Sequence, residues 1–204
     1  MNFNNSLKTN AAHKIIFIKY MMLQIKYICN KINIGGALAR NTGIINSKGF
    51  YITFLDDDDE YLPGKIDIQV RAMELNKWDL CVMDCETYDN KGRLISKKIQ
   101  PCNNNMTQDE LLKSHITEHI TATDVFMYRR DALLRIGMFD DIAAGQEFML
   151  MLKSIKSGLK IGCLHDVRVH LHMDGQERIS TRINKIESMK VLYNEKTKYF
   201  QLLS

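Results

Sequence analysis

Four consecutive aspartates, Asp56 to Asp59, follow directly on a β-branched and aromatic run, Tyr51-Ile52-Thr53-Phe54-Leu55. Adjacent carboxylates raise one another's pKa and resist joint ionisation, so such a run is electrostatically unfavourable until something positive arrives. A hard divalent cation supplies that charge. Mg2+ or Mn2+ prefers carboxylate oxygens and keeps its remaining positions for water and substrate phosphates. The competing reading is a solvated acidic loop that caps the following helix; the strand-like run before it and Leu62-Pro63 after it favour the metal. A calcium loop beginning at Asp56 fails, because its sixth position requires Gly and holds Tyr61. A phosphatase with an aspartate nucleophile also starts from a strand ending in aspartates, but the Thr or Val that follows its second aspartate is absent.

Other groups fit the same chemistry. His170 and His172 stand two apart on a strand-like run and so face one side, which suits a third metal ligand or a phosphate contact. Arg178, in the polar stretch Arg178-Ile179-Ser180, is either an ordinary solvated arginine or a guanidinium placed to neutralise a phosphate-bearing ligand. Arg40 is placed to brace the aspartates by a charge-assisted hydrogen bond. Cys81 and Cys85 have loose metal-ligand spacing without a second pair, so they read as buried strand cysteines. Met149-Leu150-Met151 reads as core packing.

These residues need elements to hold them. Gly35-Gly36 opens a helical run that stops near Ser47-Lys48-Gly49, and Phe50 to Leu55 forms a strand that delivers the carboxylates. Pro63 fits the first turn of a helix continuing through Asn76. Leu80–Tyr88 and Leu94–Ile99 bracket the turn residues Asp89-Asn90-Lys91-Gly92 as a β-hairpin. Helices are expected over Leu111–Glu118, Asp131–Ile136 and Gln146–Lys156, and strands over Gln24–Cys29, Val125–Tyr128 and Leu159–Leu171, the last as one long strand or a pair. Lys14–Tyr20 could be a helix end, and an amphipathic C-terminal helix is expected over Ile183–Leu203. Strands alternating with helices predict an α/β layered domain over residues 1–182, followed by a helical tail over 183–204.

Composition narrows the class. At 204 residues and 45% hydrophobic content the chain can bury a core, and 11 Gly with only 2 Pro exclude linker-rich or collagenous organisation. The 28 basic and 24 acidic residues are mixed along the chain, whereas a nucleic-acid protein shows a denser basic stripe. Five irregularly spaced cysteines argue against a disulfide framework and for a reducing compartment, so the cytoplasm is expected. Ile15 to Ile34 carries Lys19, Lys26 and Lys31 and cannot supply a transmembrane segment. The basic surplus is compatible with peripheral contact at the inner face of a membrane.

Two motifs in one register carry a family resemblance: N-x-G-x-x-x-A-R-N-x-G, from Asn33 through Gly35, Ala39, Arg40 and Asn41 to Gly43, then S-K-G-x-Y-I-x-F-L-D-x-D-D, from Ser47 to Asp59. They resemble the family-2 glycosyltransferases of the GT-A fold. The resemblance implies a Rossmann-like mixed sheet flanked by helices. It also implies sugar transfer with inversion, from a nucleotide-sugar donor to a glycan or cell-surface polysaccharide acceptor, with Mn2+ or Mg2+ as cofactor and no nucleic acid as partner. Asp56 and Asp58 would form the DxD metal pair with Asp58 the direct ligand, Asp57 and Asp59 would lie on the donor side with Arg40 and Arg178, and His172 would sit near the diphosphate. Gly137-Met138-Phe139-Asp140 and Ala144-Gly145-Gln146-Glu147 are similar to the acceptor-side segment, where Glu147 takes the position of the general base. Many relatives carry Asp there, and Glu moves the carboxylate by one methylene.

Relatives begin with a βαβ unit that builds the nucleotide pocket, and this chain is expected to lack it. Asn4 and Lys8 stand where acidic residues are common in the family. The rival expectation is therefore a non-catalytic remnant that binds carbohydrate or a partner.

Overall fold

The computed structural model describes residues 25–173 and 184–202. The expectations for Lys14–Tyr20, Asn4, Lys8 and Arg178 lie outside them. Along the chain the described elements are α1 (Gly35–Asn46), β1 (Tyr51–Thr53), β2 (Glu60–Tyr61), α2 (Lys65–Asn76), β3 (Leu80–Asp89), β4 (Leu94–Lys98), α3 (Gln108–Glu118), β5 (Met127–Arg129), α4 (Arg130–Arg135), α5 (Gln146–Lys156), β6 (Ile161–Met173) and α6 (Asn184–Thr197). The strands form one mixed sheet in the order β1-β5-β3-β6-β2, with β4 beside the outer half of β3. Only β3 and β6 pair in parallel; the other pairings are antiparallel.

The centre of this sheet follows from the unbroken apolar run Leu80-Cys81-Val82-Met83, which has no polar side to offer solvent and is fully buried. Successive side chains point to opposite faces. Leu80, Val82 and Tyr128 join the core made with α3 and α5, and the Tyr128 hydroxyl meets Ser154 Oγ of α5 at 2.9 Å. Cys81 and Met127 face the other way and pack with Met73 of α2 and Trp78. Helices thus cover both faces, the α/β arrangement the alternating pattern implied. Gly162 lies flat under Trp78, where a Cβ would come within 2.0 Å of the indole.

Helix α3 starts with a full capping box, in which Thr107 accepts from Glu110 N and Glu110 accepts from Thr107 N at 2.8 Å. The long β6 is a single strand whose register against β3 shifts twice, which lets it bend along the sheet. Its end reaches the acidic turn. The tail helix α6 packs back on the domain, with Ser188 Oγ accepting from Ala144 N at 3.1 Å.

Several expectations are corrected. Residues 25–30 form no strand: Ile25 and Tyr27 are exposed, and among the described residues no neighbouring strand pairs with them, without which an extended segment gains no ladder bonds. Helix α1 closes at Ser47 rather than Gly49, and α2 begins after Gly64, so Pro63 precedes its cap. Val125 lies in a 3-10 turn, Thr123–Val125, ahead of β5. Cys102 and Cys163 form a disulfide, with Cα atoms 6.2 Å apart and a sequence separation of 61. Odd number and irregular spacing bear on a disulfide framework; they say nothing about a single bridge made by tertiary proximity, and the cysteine argument for a reducing compartment loses its basis.

Candidate active site

The acidic run is a β-turn. Asp59 N donates to Asp56 O at 3.2 Å, which puts Asp57 and Asp58 at the exposed corners and turns Asp56 and Asp59 inward. A third carboxylate joins them from the 3-10 turn before β5: Asp124 Oδ1 accepts from Asp56 N at 2.6 Å. One oxygen from each of Asp56, Asp59 and Asp124 lies within 4.8 Å of the others. Asp58 is outside this cluster. Ala122, at φ +99, starts the turn that presents Asp124, a backbone conformation that side chains other than glycine disfavour and that persists where surrounding structure holds it.

The cluster carries the electrostatic tension anticipated from four adjacent aspartates. Burial raises the Asp124 carboxyl to about 7, with Asp56 adding to the rise and the Asp56 amide and Arg40 opposing it. Burial likewise raises Asp59 to about 6, with Asp58 and Asp56 contributing and the His172 amide opposing. A hard oxygen donor set of three carboxylates, two of them reluctant to ionise unaided, suits a divalent cation such as Mg2+ or Mn2+.

Arg40 ties the turn to the far side of the site. One guanidinium nitrogen pairs with Asp56 Oδ1, and the other donates to Gln146 Oε1 at 3.1 Å. Glu147 is the next residue, in the first turn of α5, where a carboxylate is favoured by the helix dipole. Gly145 makes this entry possible: it sits at φ +75, and a Cβ there would meet Leu192 of α6 at 2.4 Å.

The turn also rests on a polar helix face that the sequence did not announce. Lys65 and Gln69 of α2, two turns and one turn ahead of Met73, are buried at 1% and 0% exposure. Lys65 Nζ donates to Thr53 Oγ1 at 2.7 Å and lies 3.8 Å from the centre of the Tyr61 ring. Gln69 Nε2 donates to Val125 O at 3.0 Å. Helix α2 thereby clamps the two segments that carry Asp56 and Asp124. Burial lowers the Lys65 ammonium to about 7, against the pull of Asp124.

His172 reaches the turn through its backbone, donating its N–H to Asp59 Oδ1 at 2.8 Å. Its ring lies toward Glu60, with Nε2 3.9 Å from Oε2, and toward Tyr88. His170 shares that face, as the strand alternation implied, and its ring is 4.6 Å from that of Tyr88. Cys81 and Cys85 are buried, and burial pushes their thiols up to about 12 and about 11, the behaviour of packed rather than ligating cysteines.

The structure thus brings together Arg40, Asp56, Asp59, the His172 backbone and the start of the Glu147 helix, and leaves Asp57 and Asp58 on the outer corners. Asp124, Lys65 and Gln69 were missed. The available signal for Asp124 was a lone acid immediately ahead of the apolar run Val125–Tyr128; Lys65 and Gln69 look like ordinary solvated helix residues until the fold buries them.

A mixed sheet with helices on both faces, and a carboxylate turn at the end of one of its strands, define an α/β domain of the GT-A type. The chain belongs to glycosyl transferase family 2, whose family model matches residues 13–137. It is 24% identical over 164 residues to an uncharacterized glycosyltransferase of Methanocaldococcus jannaschii, a match covering 79% of this chain and 55% of that protein. It is 31% identical over 105 residues to an Escherichia coli UDP-Glc:alpha-D-GlcNAc-diphosphoundecaprenol beta-1,3-glucosyltransferase, covering 52% of this chain and 40% of the relative. Among solved structures, Staphylococcus aureus TarS 1-349 in complex with UDP-GlcNAc matches with a TM-score of 0.58 at 15% identity, covering 78% of this chain and 46% of TarS 1-349. The chain therefore spans about half the length of these relatives.

Proposed function

We propose that the chain carries the catalytic half-site of an inverting, metal-dependent glycosyltransferase that uses a nucleotide-sugar donor. The carrying observation is Arg40, which joins the acidic turn to the helix bearing Glu147 and so sets a metal-binding carboxylate cluster against a general base. Asp56, Asp59 and Asp124 would hold a divalent cation, with Asp58 able to join them from the solvent side. When bound, it would supply Lewis-acid stabilisation of a departing diphosphate, which would then need no proton donor. Glu147 accepts the proton of the acceptor hydroxyl, whose oxygen displaces the nucleoside diphosphate at the anomeric carbon with inversion. Arg40 fixes Asp56 in place through their ion pair.

The names of similar proteins support the substrate class: TarS was solved with UDP-GlcNAc, and the E. coli relative is named as taking UDP-Glc and a diphosphoundecaprenol-linked sugar. A Bacillus subtilis relative, 25% identical over 158 residues, is named a minor teichoic acid biosynthesis protein. A glycan or cell-surface polysaccharide component is accordingly the acceptor in this reading, with the reaction at the inner face of the membrane. No described helix is long and apolar enough to cross a membrane.

Calorimetric titration of the chain with UDP, with and without Mn2+, tests the donor side, and transfer from a panel of UDP-sugars tests the reaction. Weak binding that requires Mn2+ and disappears in Asp56→Asn is the expected result, because the chain is expected to lack part of the nucleotide pocket. UDP binding indifferent to both would overturn the assignment.

A further inference from the structure

Basic groups from three elements gather beside the start of α5. Lys98, at the end of β4, is half-buried; its Nζ donates to His119 O at 2.7 Å and to Thr121 Oγ1 at 2.9 Å. His119 caps α3 in the left-handed region at φ +62, and its Nε2 meets Nζ of Lys196 from α6. These groups surround Phe148, the neighbour of Glu147: the His119 ring centre is 5.2 Å from that of Phe148, and Lys196 Nζ is also 5.2 Å from it. Among the described residues, none of Lys98, His119 and Lys196 forms an ion pair with a carboxylate, although fifteen pairs are made elsewhere, so this region is not short of acids by accident of composition.

Partly desolvated like charges are costly, and an arriving anion relieves that cost. Each group bears the mark of burial, and His119 also that of neighbouring positive charge. Burial lowers the Lys98 ammonium, with Cys85 and then Glu147 opposing; burial lowers His119, with Lys196 and Lys98 adding to the effect; burial lowers Lys196. His115, stacked on Phe148 and pushed to about 3 by burial, stays neutral and adds no charge.

We propose that Lys98 and Lys196, bridged by His119 and flanked by Thr121, form an anion subsite beside Glu147 that takes a phosphate group carried by the acceptor. Phosphate fits because its several oxygens can meet donors arriving from separate elements, and lysine serves it as a point charge. A carboxylate offers two oxygens in one plane. Assigning the anion to the acceptor rests on the role proposed for Glu147; the subsite itself does not.

The phosphate can belong to a soluble phosphorylated glycan or to a membrane lipid, and two measurements on the full chain separate these. With EDTA present to keep divalent ions off the acidic turn, binding of inorganic phosphate and a hexose 1-phosphate is followed by 31P NMR, and binding to phosphatidylglycerol vesicles by co-sedimentation. Lys196→Met and Lys98→Met are each expected to weaken binding by about tenfold in at least one arm, the loss of one charge-assisted hydrogen bond. Lys113→Met, an exposed lysine of α3, is the control for bulk charge. Because Lys98 also caps α3, Lys196→Met is the deciding variant where Lys98→Met fails to fold. Equal weakening by Lys113→Met, or no binding in either arm at millimolar ligand, overturns the proposal. Unchanged turnover in Glu147→Gln would remove the base and leave this binding measurement intact.

Discussion

The two walls of the site carry opposite charge and are built in opposite ways. On the acidic wall, Asp56 and Asp59 come from a single β-turn and only Asp124 is brought from elsewhere, 68 residues on. On the basic wall every member comes from a different element: Lys98 from β4, His119 from the end of α3 and Lys196 from α6, the last two separated by 77 positions. A turn concentrates charge because its geometry is local. A wall assembled from three elements exists only after the sheet and helices have packed, and its strength depends on the contacts that hold those elements together.

That difference can be broken at both ends. The largest effect is expected where the walls meet: Glu147→Gln should lower turnover of an active form by ~10²–10⁴, the usual worth of a positioned base, with an unchanged melting temperature. Turnover within a few-fold of wild type would show that the base lies elsewhere. On the acidic wall, Asp124→Asn should weaken Mn2+ binding, read by EPR titration, by at least the ~10–100-fold typical of groups one shell further out. Wild-type affinity in Asp124→Asn, with the loss confined to Asp58→Asn, would move the ion to the outer corner of the turn.

On the basic wall the scaffold is the more exposed weakness. The Cys102–Cys163 bridge ties the segment between β4 and α3 to β6, so Cys163→Ser in oxidised protein should cost about 2–4 kcal/mol in denaturant unfolding. No change would show that packing alone holds that segment.

A pH effect follows from the raised carboxyls. Asp124 and Asp59 have folded values of about 7 and about 6, above the ~3.9 of an unfolded aspartate. Between these limits the two carboxyls bind more protons in the native state than in the unfolded one, so their contribution to stability is lost as pH rises from 4 toward 8, while His115, held at about 3, and Lys65, held at about 7, act in the other direction. Metal-free Asp124→Asn should therefore gain melting temperature over wild type as pH rises across that range, and Mn2+ should remove the difference at pH 8. A gap between the two that does not change with pH would count against a strained cluster. The smallest effect belongs to a pair far from either wall: Asp67→Ala, which removes the exposed i,i+4 partner of Arg71 on α2, should cost only ~0.3–0.5 kcal/mol.

Legibility followed the same division. Helices α1, α3 and α5, the β3–β4 hairpin and the strand leading to the aspartates were readable because turn residues, apolar period and stop signals agree locally. Gln24–Cys29 was misread because alternation describes a strand's faces but cannot supply its partner. Lys65 and Gln69 were invisible as core residues: a lysine and a glutamine on an amphipathic helix look solvated, and only the Thr53 hydroxyl, the Tyr61 ring and the Val125 carbonyl make their burial tolerable.

The chain's own order of residues determined the family register, the acidic turn, the helix that opens at Gln146-Glu147 and the expectation that Arg40 braces the aspartates, since each depends on spacing within a few residues or on a motif in one register. The tertiary structure alone decided that Asp124 completes the carboxylate cluster, that His172 meets it through its backbone, that Cys102 and Cys163 join, and that three basic groups gather by the start of the helix that carries Glu147. Those outcomes depend on which strands become neighbours, and pairing across a sheet is set by burial and register over the whole domain, which no local stretch of sequence contains.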